Sequence, residues 1–268
     1  HKYTGIATMG IKLFISAAQL LMPFFLGICV GTALDVLTLP LVCGIAIAVL
    51  GVLAVFAPMP KVEGVGKGES FLNNLKNAHF SIESVALILI GFTCTATFQL
   101  WLNCAQTFGK EIAGIPADSV AVMQTYYSAG SLVALFVTSI LTTKIKQVRF
   151  LVIYPIISLA MLALVYIVKS PMICYIGAFV IGYSAAGGVL QIATAVANDL
   201  FPKIKGTLTS LVMIASSLCN YTILTAASKM TASGVIVMNI AITAVGILLA
   251  LFVNAKYGVL LKNSEASK

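Results

Sequence analysis

Residues 82–107 read IESVALILIGFTCTATFQLWLNCAQT. Glu83 is the only charge, and it stands at the start; residues 84–107 carry none. A helix of about 20 mostly apolar residues crosses the hydrocarbon core of a bilayer. In lipid such a segment has to be helical, because its amides find no water and must satisfy one another. The run therefore reads as a membrane-spanning helix. It also carries a polar stripe: Thr95, Gln99, Asn103 and Gln106 fall at i, i+4, i+8 and i+11, on one helical face. Amides on one face do not belong against lipid. They belong in a cavity or against a neighbouring helix.

Seven more stretches of this kind occur, at 9–31, 36–58, 120–142, 150–168, 171–197, 207–228 and 234–254. The reading is an all-α polytopic membrane protein with eight transmembrane helices. Hydrophobic residues are 60% of the chain and charged residues 9%, against about 25% charged in a soluble domain. The charges gather between the spans. With the N-terminus in the cytoplasm, twelve of the sixteen Lys and Arg fall on the inner side. Three fall on the outer side, namely Lys110, Lys169 and Lys229, and Lys12 lies within the first span. That is a positive-inside bias, and it places both termini in the cytoplasm of a cell whose plasma (inner) membrane holds the protein. The net charge of +8 thus reflects membrane orientation and not nucleic-acid binding.

The longest polar segment, 59–80, divides two spans from six. It gives a division into 1–58, the end of a first half; 59–80, a central cytoplasmic loop; and 81–268, a six-helix second half. Phe71–Lys76 within the loop has the pattern of a short amphipathic surface helix. An internal match supports two halves: Lys2, Gly5, Thr8 and Ser16 recur as Lys203, Gly206, Thr209 and Ser217 at an offset of 201. A parallel repeat of six-helix halves then expects about four further helices upstream, as partners missing from this chain.

Gly187-Gly188-Val-Leu-Gln191, followed by Asp199-Leu-Phe-Pro202-Lys203 and Gly206, resembles the tenth helix and following loop of bacterial solute permeases of the major facilitator superfamily. The Lys2/Gly5 loop and the basic loop 61–80 resemble their counterparts there. The resemblance covers the whole chain as helices five to twelve. It implies a secondary active transporter that exposes a mid-membrane site to each side in turn, with no cofactor and no enzymatic chemistry. The loop with Lys144, Lys146 and Arg149 keeps the family's basic residues but not its Asp and Gly. Lys144, Arg149 and Asp199 are the gating candidates, and Gly187 and Gly188 the structural ones.

The substrate candidates are neutral. Gln99 and Asn103 are joined by Gln191, which shares a nominal face with Ser184 and Asn198. Gln124 and Tyr127 come from the fourth span, Asn220 from the seventh and Gln19 from the first. Amides and hydroxyls both donate and accept, so a small polar solute is expected, sugar-like before others. No carboxylate lies deep in any span, so a residue coupling transport to a proton or sodium ion is expected upstream. Six cysteines, all within spans, show no metal spacing and read as packing residues. Gly182-Tyr183-Ser184-Ala185 is similar to the serine motif of rhomboid proteases, but the histidines, His1 and His79, lie in loops and offer no base. A multidrug or organic-ion exporter of the same superfamily, and a channel or scaffold, are the alternatives.

Overall fold

The computed structural model describes residues 21, 38–56, 81–142, 144–201 and 204–265, and among these every regular element is helical. The elements are α1 (Thr38–Phe56), α2 (Ile82–Glu111), α3 (Val122–Leu141), α4 (Gln147–Val168), α5 (Pro171–Ile181), a π turn (Gly182–Ala186), α6 (Val189–Leu200), α7 (Lys205–Ala227) and α8 (Ala232–Glu265). Seven expected spans meet helices at their positions. The span 9–31 and the loop 59–80 lie outside the described residues, Leu21 excepted. Among the described residues, five stretches are long and apolar enough to cross a membrane: Ile82–Glu111, Gln147–Val168, Pro171–Leu200, Lys205–Ala227 and Ala232–Lys262. The helix α3 is not among them, because Gln124, Tyr126, Tyr127, Ser128 and Ser131 make one half of it polar.

Local chemistry sets the ends. Ser81 caps α2 by accepting from the Ser84 amide at 3.3 Å, and Glu83 in the first turn and Lys110 in the last complement the helix dipole. Lys169 ends α4 in the left-handed region at φ 52, and Pro171 opens α5 at the first helical position. Two helices overrun their expected limits. Lys110 and Glu111 continue α2, and Lys256 and Lys262 continue α8 to Glu265. Charge ended the apolar run, but lysine and glutamate are good helix formers. Beyond the expected end of α8, Tyr257, Leu260 and Leu261 pack on the core. There Lys256 Nζ also meets Glu83 Oε1 at 3.0 Å.

The span 171–197 is corrected more deeply. It is broken by the π turn, and Gly188 stands at φ 104, a conformation natural to glycine. The expected face of Ser184, Gln191 and Asn198 assumed an unbroken helix, so it does not survive. Ser184 is buried and bonds Ser158 at 2.7 Å. Asn198 instead accepts from Thr209 of α7 at 2.8 Å.

Two apolar clusters fill opposite ends of the bundle. One centres on Leu87, Ile90, Leu151, Val196, Leu208 and Val253. The other centres on Trp101, Phe108, Met123, Tyr127, Leu162 and Ile181. Lipid supplies little hydrophobic drive between helices, so close packing and polar contacts carry association. Glycines provide the approach. A Cβ on Gly130 would overlap the Phe179 carbonyl, and one on Gly182 would overlap the Tyr127 carbonyl. Buried hydroxyls and one amide join α2 to α8: Thr97 Oγ1 lies 2.8 Å from Thr243 Oγ1, and Asn239 Nδ2 donates to the Thr97 carbonyl at 3.1 Å. Asn239 is fully buried. Replacing it with leucine should destabilise the bundle by about 0.6–1.7 kcal/mol, the range of interhelical hydrogen bonds in membranes. Thermal unfolding in detergent measures this, and an unchanged midpoint would contradict it.

Candidate functional site

Burial and composition separate α7 from the other candidate spans. Only 17% of the most apolar window of α7 is buried, against 39% or 61% for the other four candidate spans, and α7 is also the least apolar of the five. The strongly apolar α4 and α8 present their open faces to lipid at no cost. The open face of α7 mixes Ser210, Ser217, Tyr221, Thr222 and Thr225 with Met213, Ile214 and Leu218, so it is less apolar than theirs.

The helix α2 runs alongside α7 in a fixed register. A Cβ on Gly91 would stand 2.6 Å from Val212 Cγ1. One turn on, Thr95 Oγ1 and Ser216 Oγ are 2.8 Å apart. Each step advances both helices by four residues, and the same register sets Gln99 and Asn220 at the next level. Both are half-buried, at the edge of the packed interface. Asn220 Oδ1 is shielded from solvent and has no hydrogen-bond partner. One turn beyond, Asn103 is exposed, and its Nδ2 donates to the Gln99 carbonyl at 2.9 Å and to Gln99 Oε1 at 3.1 Å. That second bond fixes the Gln99 amide with its oxygen toward Asn103. Gln99 and the exposed Asn103 therefore form a polar rim beside the α2–α7 seam, with the shielded Asn220 behind it.

The expected α2 stripe is thus divided. Thr95 belongs to the packing contact with Ser216, while Gln99 and Asn103 remain on the open side, with Gln106 half-buried above them. The structure joins Gln99 to Asn103 by hydrogen bonds, and the α2–α7 register sets Asn220 level with Gln99. The other candidates lie apart. Gln124 is half-buried on α3, which packs chiefly on α5 and the π turn. Tyr127 is 2% exposed and belongs to the core. Gln191 is half-buried on α6. Gln19 lies outside the described residues. Trp101 is a packing residue: a Cβ on Gly177 would come 3.2 Å from its ring.

Among the gating candidates, Lys144 and Arg149 are exposed at the α3–α4 turn, and Asp199 is exposed at the end of α6. Lys203, in the loop that follows, lies outside the described residues. Gly187 is buried with its α-carbon side against Ala134 and the Tyr183 carbonyl, so it packs, while Gly188 bends. Among the described residues no group of three or more His, Cys, Asp or Glu could hold a metal ion. The reading of the spans passed over Asn239 and Thr243, which hold α2 from behind. The signal was Asn239 itself, a lone amide near the start of an otherwise apolar run.

Comparison with known proteins agrees with this architecture. The model of the Major Facilitator Superfamily matches residues 2–220. An uncharacterized MFS-type transporter of Bacillus subtilis, YfkL, is 34% identical over 186 residues, which is 66% of this chain and 46% of that protein. The inner membrane transport protein YdiN of Escherichia coli is 34% identical over 143 residues, 53% of this chain and 34% of that protein. The inner membrane transport protein YdiM of the same organism is 28% identical over 261 residues, 94% of this chain and 64% of that protein. The chain thus spans between about a third and two thirds of the length of these relatives. With helices long enough to cross a bilayer and a family match over residues 2–220, this chain belongs to the Major Facilitator Superfamily.

Proposed function

We propose that this chain supplies the final two helices of the first half, in 1–58, and the whole second half, in 81–268, of an alternating-access transporter, with 59–80 as the tether between halves. Its solute is small, polar and uncharged, and sugar-like compounds fit best. The observation that carries this reading is the hydrogen-bonded pair of Gln99 and Asn103, level with Asn220 by the α2–α7 register and beside the polar residues of the α7 face. Amides recognise hydroxyls by donating and accepting at once, and they place no fixed charge in a site that must release its solute. The exposed Asn103 offers its amide to a solute hydroxyl. The four upstream helices supply the facing wall and the group coupled to a proton or sodium ion.

The experiment is solute uptake by the full-length protein in proteoliposomes, comparing wild type with Gln99→Ala and Gln191→Ala. Gln99→Ala should lose most transport. Unchanged rates with Gln99→Ala remove the site.

Orientation is tested separately. Both termini lie in the cytoplasm in this reading, and the protein resides in the plasma (inner) membrane. Single cysteines at Lys110 and Lys146 should react with an impermeant thiol reagent from opposite sides of the membrane. Reaction of both from one side contradicts the proposed weave.

A further inference from the structure

A small chamber lies inside the bundle, away from the α2–α7 rim. Hydroxyls line it from four elements: Thr93 and Thr97 of α2, Ser158 of α4, Ser184 of the π turn and Thr243 of α8. Pro155 of α4 completes the wall used here. The free space is about 10 Å³, the room one water needs.

The hydroxyl hydrogens are already committed. Thr93 Oγ1 donates to the Ile90 carbonyl at 3.1 Å and Ser184 Oγ to the Val180 carbonyl at 2.7 Å. That leaves Ser158 as the donor in its 2.7 Å contact with Ser184. Thr97 and Thr243 have two hydrogens for three bonds: to the Thr93 carbonyl, to the Asn239 carbonyl and to each other. Pro155 adds to the shortage, because it brings no N–H to the Leu151 carbonyl one turn before it. The chamber is therefore rich in lone pairs and poor in donors. A guest must be the size of a water and must donate.

A cation also satisfies lone pairs, but the polar groups of this wall are all neutral. A buried charge without a counter-charge costs several kcal/mol. We propose that the chamber is a binding site for one structural water. The water supplies the missing hydrogens where the π turn and Pro155 interrupt two neighbouring helices. π turns and prolines in membrane helices persist because something re-satisfies their backbone, and this site provides it.

Cys94 borders the chamber and is 7% exposed, whereas Cys174 and Cys219, buried elsewhere, are 0% exposed. X-ray hydroxyl-radical footprinting of the purified full-length protein oxidises side chains beside bound water. Cys94 should be modified several-fold faster than Cys174 and Cys219. Ala185→Val, which fills the chamber from the π turn, should lower the Cys94 rate several-fold, a drop that the slight exposure of Cys94 does not account for. Equal rates for the three thiols in the wild type overturn the proposal, whether or not Ala185→Val folds. Fast Cys94 oxidation that survives in folded Ala185→Val also overturns it. So does a Cys94 rate that falls in sodium chloride relative to choline chloride, which would identify a cation site instead.

Discussion

Gly130→Val and Gly182→Val should each prevent the bundle from accumulating as a folded, monodisperse species in detergent. The two glycines face each other across the α3–π contact. At Gly130 the obstacle is the Phe179 carbonyl, and at Gly182 it is the Tyr127 carbonyl. Neither obstacle is a side chain that can rotate away, so a β-carbon forces the two backbones apart. Separation would loosen Tyr127, Ala178, Ile181 and Ala185, which are buried in the same cluster. Overpacking a core typically costs about 1–3 kcal/mol, and a displaced helix pair should reach or exceed the upper figure. Against a total stability of about 5–15 kcal/mol, that is severe. Gly258→Ala is the control. A Cβ there meets nothing within 4 Å, and alanine is the better helix former by about 1 kcal/mol. Its midpoint should hold or rise. Size-exclusion profiles and thermal midpoints measure both effects, and a wild-type profile for Gly130→Val would contradict the backbone contact.

The second large effect is on transport. Gln99→Ala and Asn220→Leu should each lower kcat/KM by about 10- to 100-fold, as expected when a buried polar contact worth about 1–3 kcal/mol is removed. Because the two residues stand at one level of the α2–α7 register, their losses should not multiply. The double variant should transport about as poorly as the worse single variant, giving a coupling of about 1 kcal/mol or more. Thr95→Val serves as comparison: it breaks the Thr95–Ser216 contact without touching the rim, so its loss should combine independently with that of Gln191→Ala. Fully multiplicative losses for Gln99→Ala and Asn220→Leu would mean that the two residues do not act on the solute as a unit.

Long apolar runs made the helices legible from the amino acids alone, because only a helix satisfies its amides in lipid. Ends were less so. A count of apolar residues stops at Lys256, but the helix continues to Glu265, held by Leu260, Leu261 and the Glu83 ion pair. The break after Ile181 was ambiguous for a different reason. A glycine in an apolar run permits both packing and bending, and only the neighbours decide: Gly182 and Gly187 pack, whereas Gly188 bends. The α2 stripe shows the same limit for the site. Periodicity put Thr95, Gln99 and Asn103 on one face, but it did not reveal that α7 would cover the first and leave the last open. Tyr127 was misleading because a tyrosine near a helix end suits an interface, a solute or a core equally well on pattern alone.

The length of α8 has a mechanical consequence. Its 34 residues make a rod of about 51 Å, while the hydrocarbon core is about 30 Å thick. The surplus of about 20 Å acts as a pointer joined to the bundle. If the bundle tilts by about 10°, the tip near Lys262 sweeps about 3–4 Å on this geometry. A motion too small to follow at the buried rim is enlarged there, at an exposed position where a spectroscopic label can be attached.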